Sequence, residues 1–126
     1  MDTRTKILTV EQARALRFNG PVVVTGYFDL LRAVHARELE ETRRRTAAGT
    51  LVVAVMPWVE AYQSQRARAE MAAALRVVDY VVLIDQDADL AALYDALHPI
   101  EVVRMEMADA RRNRELIEHV RHRNSL

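Results

Sequence analysis

Three apolar runs in this chain do not alternate. They are "VVVT" at 22–25, "TLVVAVM" at 50–56 and "VVDYVVLID" at 77–85. A strand with one wet face places polar residues at every second position. Unbroken β-branched runs of this length suit strands covered on both faces, as in a parallel sheet. Between them lie helical stretches at 29–47, 61–75 and 88–97, and a weaker apolar run at 100–105 precedes a polar helix at 108–122. Strands alternating with helices of ten or more residues predict βαβ units, with right-handed crossovers placing helices on both faces. The expected fold is therefore α/β, a three-layer Rossmann-like domain with a parallel sheet of four to five strands spanning 1–126.

Local punctuation agrees. Thr9 and Gln12 have the spacing of a capping box at the head of "TVEQARALR". Asn19, Gly20 and Pro21 end that helix, and Gly49 ends the next. In such sheets ligands bind outside the C-terminal ends of the strands, where the strand order reverses. That rule selects four windows: 26–29, 57–62, 85–89 and 106–109.

The 126 residues carry 18 basic and 18 acidic side chains, so the basic excess of a general nucleic-acid binder is missing. No apolar run approaches the roughly 20 residues of a membrane span, and the N-terminal segment lacks the apolar core of a signal peptide. A cytoplasmic protein without nucleic-acid or membrane partners is expected. The absence of cysteine excludes disulfides and thiolate metal sites. Asp85, Asp87 and Asp89 have calcium-loop spacing, but Leu90 and Ala96 stand where an EF-hand needs glycine and glutamate. Asp87 or Asp89 reads as a helix cap, and no metal site is expected.

The first window carries the most chemistry. Gly26 follows its strand directly, which allows a tight turn and close ligand approach. Asp29 is placed to cap the following helix, whose N-terminus favours an anion. Arg32 and His35 are three apart and share a face, where both can reach phosphate oxygens. A capped helix with two solvated polar side chains fits the same residues. Trp58 and Tyr62, four apart, suit stacking on a base or substrate ring; more often such a pair covers the end of a core or a dimer contact. In the tail, Arg111, Arg112, Arg114, Arg121 and Arg123 alternate with Glu115 and Glu118, as on a solvated helix face.

The stretch "VVVTGYFDLLRAVHARELEETR" resembles the first strand, loop and helix of nucleotidyltransferases with an HxGH motif, the cytidylyltransferase-like superfamily, whose members show a G-x-F-D-L-L-H-x-G-H run. "LVVAV" and "RAEMAAALRVVDYVVLIDQD" resemble later segments of one branch, the adenylyltransferase domain of bifunctional ADP-heptose synthases. The resemblance covers residues 6 to about 105 in order. It implies attack of a sugar or alcohol phosphate on the α-phosphate of ATP or CTP, with release of pyrophosphate and magnesium accompanying the nucleotide. Transition-state charge would be stabilised mainly by positioning and electrostatics. Carried over by position, His35 matches the second motif histidine and Arg32 stands at the first. Gly26, Tyr27, Phe28 and Asp29 match the nucleotide-binding loop, and Arg68 an arginine of the third-helix segment. Related enzymes are commonly dimers, so a homodimer is expected.

The motif here reads "RAVH". Arg32 is a fixed planar cation rather than an imidazole. Val34 adds bulk where the family has glycine, and Tyr27 replaces a small residue. The family's lysine-glycine element after the second strand is missing, the sole lysine being Lys6, and so is its Ser/Thr-rich segment before the last helix. The resulting expectation is a degenerate protein that binds Mg-ATP, Mg-CTP or another phosphorylated molecule with catalysis weakened or lost. The alternatives are an active nucleotidyltransferase using Arg32 and His35, and an interaction domain whose pocket Tyr27, Val34 and Trp58 fill.

Overall fold

The apolar runs form strands where expected. In the computed structural model, residues 2–47 and 49–125 are described, with side chains up to residue 123. Five parallel strands make one sheet: β1 (Ile7–Leu8), β2 (Pro21–Gly26), β3 (Thr50–Val55), β4 (Tyr80–Leu83) and β5 (Glu101–Arg104), in the order β1-β4-β3-β2-β5. The helices are α1 (Val10–Arg14), α2 (Ala33–Thr46), α3 (Gln65–Ala73), α4 (Asp87–Leu97) and α5 (Glu106–Ser125).

Successive residues of the central strands feed opposite layers. Val22, Val24, Leu51, Val53 and Val55 pack with Leu39 of α2 and Ala69, Ala72 and Ala73 of α3. Val23, Val52, Ala54 and Val82 pack on the other side with Ala13 of α1 and Leu90, Leu93 and Leu97 of α4. Both faces are dry, which is why these strands do not alternate. Each buried valine or leucine contributes about 1.5–3 kcal/mol relative to exposure. The edge strand β5 differs: Val102 and Arg104 are exposed between half-buried Glu101 and Val103.

The chain steps from β2 to β3 to β4 in one direction. It then returns through α4 to place β5 on the far side of β2. The order reverses between β2 and β5, so the switch point lies above Thr25, Gly26 and Met105. Met105 N–H donates to Thr25 O at 2.8 Å, continuing the pairing just beyond the strands.

Four expectations need correction. The strand Ile7–Leu8, paired to Val81 and Val82, had no sequence signal, because two residues show no period. The helix expected over 61–75 starts at Gln65, where the Ser64 hydroxyl accepts from Ala67 N–H; residues 57–63 are loop. The helix expected over 29–47 starts at Ala33, and its N-cap position is Arg32, not Asp29. The apolar residues of 77–79 are not yet strand, since β4 starts at Tyr80. The Thr9–Gln12 capping box is present as expected.

Candidate functional site

The turn after β2 is built around carboxylates. Residues 27–32 are irregular, and Phe28 and Leu30 both have φ of 52°. Left-handed backbone at a bulky residue costs on the order of 1–3 kcal/mol and persists only where surroundings enforce it. Here the surroundings do so. Phe28 is fully buried in the core. The successive N–H groups of Tyr27 and Phe28 donate to one oxygen, Asp109 Oδ2, at 2.9 and 3.2 Å. Consecutive N–H groups converging on one anion form a nest. Gly26 completes it: a Cβ there would lie 2.6 Å from Asp109 Oδ2 and 2.9 Å from the Phe28 ring.

His35 closes the other side. Its Nδ1 accepts from Arg32 N–H at 3.1 Å, so the ring proton is carried on Nε2. Nε2 lies 3.2 Å from Asp109 Oδ1. This contact is not a hydrogen bond, and among the described residues Oδ1 has no hydrogen-bond partner. His35 and Asp109 are each 2% exposed. Arg32, by contrast, is exposed. Arg32 and His35 therefore do not share a face: the first points to solvent and the second into the protein.

Asp29 ties three segments together. Its carboxylate accepts from Tyr62 N–H at 2.8 Å, Gln63 N–H at 3.1 Å and Asn113 Nδ2 at 2.8 Å. The cap expected of it at α2 is thus replaced by a link between the loop 57–63 and α5. Arg68, also 2% exposed, clamps the strand ends: its Nη1 donates to Tyr27 O at 2.8 Å and Met56 O at 2.9 Å. Burial lowers the pKa of this guanidinium, opposed by the nearby Asp29 charge. Next to the turn, the Thr25 hydroxyl donates to Glu106, which also holds Arg104 through a contact of 2.6 Å.

Tyr27 is half-buried and stacks on Trp58, ring centroids 4.4 Å apart and planes within 11°. Burial raises the pKa of its hydroxyl, with the charges of Glu106 and Asp109 adding to the effect. Beside this pair runs an open groove of about 390 Å³ between the loop 57–63 and α5. Trp58, Glu60 and Tyr62 line one wall and Arg114, Ile117, Glu118 and Arg121 the other, so the lining carries charges of both signs. Arg112 is turned away to pair with Glu38 of α2.

Of the site residues read from the sequence, Gly26, Phe28, Asp29, His35 and Arg68 are brought together, but as a buried, mutually bonded cluster. Trp58 and Tyr62 are brought together at the groove, with Tyr27 stacked on Trp58. Arg32 joins neither through its side chain. Sequence reasoning missed Asp109 and Asn113 as site residues. The signal for Asp109 was its place in the window 106–109; nothing marked Asn113 in what read as a solvated helix. Asp87 and Asp89 lie in the first turn of α4, where Asp89 Oδ2 accepts from Gln86 N–H at 3.0 Å. Among the described residues no group of three or more histidine or acidic side chains is arranged to hold a metal. No helix among them is long and apolar enough to cross a membrane.

No known family and no curated protein matches this chain. Among solved structures, it is similar to the lipopolysaccharide core biosynthesis protein of Thermoplasma volcanium GSS1, at 22% identity over 67% of this chain and 93% of that chain, with a TM-score of 0.48.

Proposed function

We propose that the chain is a nucleotidyltransferase-like protein that binds a nucleotide or another phosphorylated small molecule, and whose nucleotidyl transfer is weakened or lost. One observation supports this above the others. The backbone donors at the switch point, Tyr27 N–H and Phe28 N–H, are already spent on Asp109, and His35 Nε2 lies against the same carboxylate. A triphosphate of Mg-ATP or Mg-CTP does not fit that cradle while a buried carboxylate occupies it. The position matching the first motif histidine is an exposed arginine.

Ligand binding is assigned to the groove. Trp58 and Tyr62 offer flat apolar surface to a base, and Arg114 and Arg121, set among Glu60 and Glu118, offer charge to phosphate. Thermal unfolding with ATP, CTP and their magnesium complexes tests this, because a ligand specific to the folded chain raises its stability by mass action. Stabilisation that disappears in Trp58→Ala and in Arg114→Ala/Arg121→Ala is the expected result. Absence of any effect at millimolar nucleotide would remove the binding assignment. Sustained pyrophosphate release with a sugar phosphate or glycerol phosphate would instead establish an active nucleotidyltransferase of the ADP-heptose synthase or cytidylyltransferase type.

A second reading, an interaction domain or homodimer, is favoured by exposed apolar side chains beside the same groove. Val59 is fully exposed, Tyr62 is 59% exposed and Val120 is 44% exposed. Sedimentation equilibrium distinguishes a self-associating chain from a monomer.

A further inference from the structure

We propose that the polar cavity between the ends of α1 and α4 is a second binding site, and that it takes a small zwitterion of the α-amino acid class. α1 ends at Arg14 ahead of β2, and α4 ends at Leu97 ahead of β5. The cavity therefore lies by the N-terminal ends of the strands, at the opposite edge of the sheet from the switch point. It stands independently of the nucleotide reading.

The cavity measures about 390 Å³, a size that suits a small molecule. Its lining is almost entirely polar, although five of its seven lining residues have apolar side chains. Those residues therefore contribute backbone, and the backbone atoms left to contribute are carbonyl oxygens. The N–H groups of Ala15 and Leu16 donate to Gln12 O and Ala13 O, and those of Ala96 and Leu97 lie inside α4. The carbonyls at the two helix ends lack such partners. His98 N–H donates to Tyr94 O, Pro99 has no N–H, and Ile100 N–H donates to Pro21 O. The last carbonyls of α4 thus receive no donor from the chain that follows. At the end of α1, no backbone N–H among the described residues reaches the carbonyls of Arg14, Ala15 or Leu16.

Opposite charge stands beside them. Arg14 and Arg17 line the same cavity. Arg14 Nη1 lies 3.6 Å from Glu11 in an exposed pair, and the Arg17 side chain makes no hydrogen bond or ion pair among the described residues. The nearby carboxylates, Glu11 and Asp95, are not part of the lining. Simpler ligands leave half of this surface unmatched. A lone carboxylate or phosphate meets carbonyl oxygens at the negative end of α4. A lone cation meets two guanidinium groups. A molecule with an ammonium group and a carboxylate a few bonds apart satisfies both: the ammonium donates to the carbonyls, and the carboxylate accepts from the guanidinium fork.

Thermal unfolding with L-serine tests the site. Acetate and methylammonium supply its two halves, at equal ionic strength, and sucrose controls for stabilisation by solvent exclusion without binding. The expected result is a saturable rise in Tm with L-serine and none with either half at the same concentration. Affinity should weaken roughly tenfold or more in Arg14→Gln/Arg17→Gln, two exposed positions where substitution leaves the fold intact. No rise, a non-saturating rise like that of sucrose, or an unchanged response in the arginine variant would overturn the site. A saturable response to acetate equal to that of L-serine would overturn the zwitterion assignment.

A measurement on the wild-type chain needs no variant. The amide signals of Arg17, Phe18, Leu97 and His98 should move as L-serine is added while that of Tyr27 stays in place; movement confined to the groove residues would place the ligand elsewhere and defeat the proposal. L-serine binding should persist in Trp58→Ala. L-serine binding without any nucleotide binding would defeat the functional reading and leave this site standing, and the reverse pair of results would do the opposite.

Discussion

The switch-point turn and the groove beside it use similar materials in opposite ways. In the turn, Asp29, Asp109, His35 and Arg68 are polar groups almost wholly removed from water, and each is directed at backbone or at another member of the cluster. In the groove, Tyr62, Arg114 and Arg121 are exposed. The first region carries the sequence likeness to an enzyme family; the second is the one open to a ligand. The residues at the motif positions and the residues that line the open groove are thus different sets in this molecule. Burying a charged group demands partners, and once those partners are internal the group serves the fold before it serves chemistry.

That contrast makes a ranked set of expectations. Asp29→Ala should have the largest effect, on the order of 3–5 kcal/mol of stability in urea unfolding, since it leaves two backbone N–H groups and the Asn113 amide without their charged acceptor. A loss below about 1 kcal/mol would mean that the turn is not the closed region described. Gly26→Ala should cost about 1–3 kcal/mol, because the added methyl meets Asp109 and the Phe28 ring. Combining it with Asp109→Ala should recover part of that loss, and strict additivity would show that the two positions do not touch. Trp58→Ala and the paired change of Arg114 and Arg121 to alanine sharpen the other side. The arginine pair should stay within about 0.5 kcal/mol of wild type in stability yet lose nucleotide binding. If Asp29→Ala abolishes binding by unfolding alone and the groove variants bind normally, the two regions have been assigned the wrong way round.

The smallest effect is alkaline. Burial raises the Tyr27 hydroxyl above the ordinary value of 10.0, so the folded chain keeps that proton after the unfolded chain has released it. The favourable contribution is complete below pH 10 and falls as pH rises from there toward the folded-state value. Tyr27→Phe should flatten this part of the stability profile relative to wild type, while the contribution from Tyr94, whose hydroxyl burial also raises, remains.

The sheet was legible because "VVVT" and "TLVVAVM" leave no wet face, and a double-sided strand has few architectures open to it. Helix starts were less so. Asp29 has the residue type and position of a cap, and only the positive φ at Phe28 and Leu30 turns its carboxylate toward Tyr62 and Gln63 instead. Backbone strain at non-glycine residues leaves no trace in a pattern of side-chain types. His35 illustrates the same limit. Its spacing from Arg32 placed both on one helix face, but Arg32 is the cap position with extended backbone at φ of −134°, so the helical offset does not apply to it. Asp109 and Asn113 are four apart on α5, and both are buried although neighbours Arg111 and Arg114 are exposed. A short polar stripe packed on a polar cluster reads in sequence as one more solvated face.

Asp29 also bears on the order in which the protein can be completed. Its partners lie 33, 34 and 84 positions further along the chain. Contacts of such separation form after the local ones, and during synthesis the last of them waits until Asn113 has left the ribosome. The β2–β3 pairing and its covering helix can assemble earlier, with the turn after β2 still open. Sealing of the switch point is then a late event of folding, coupled to the docking of the final helix.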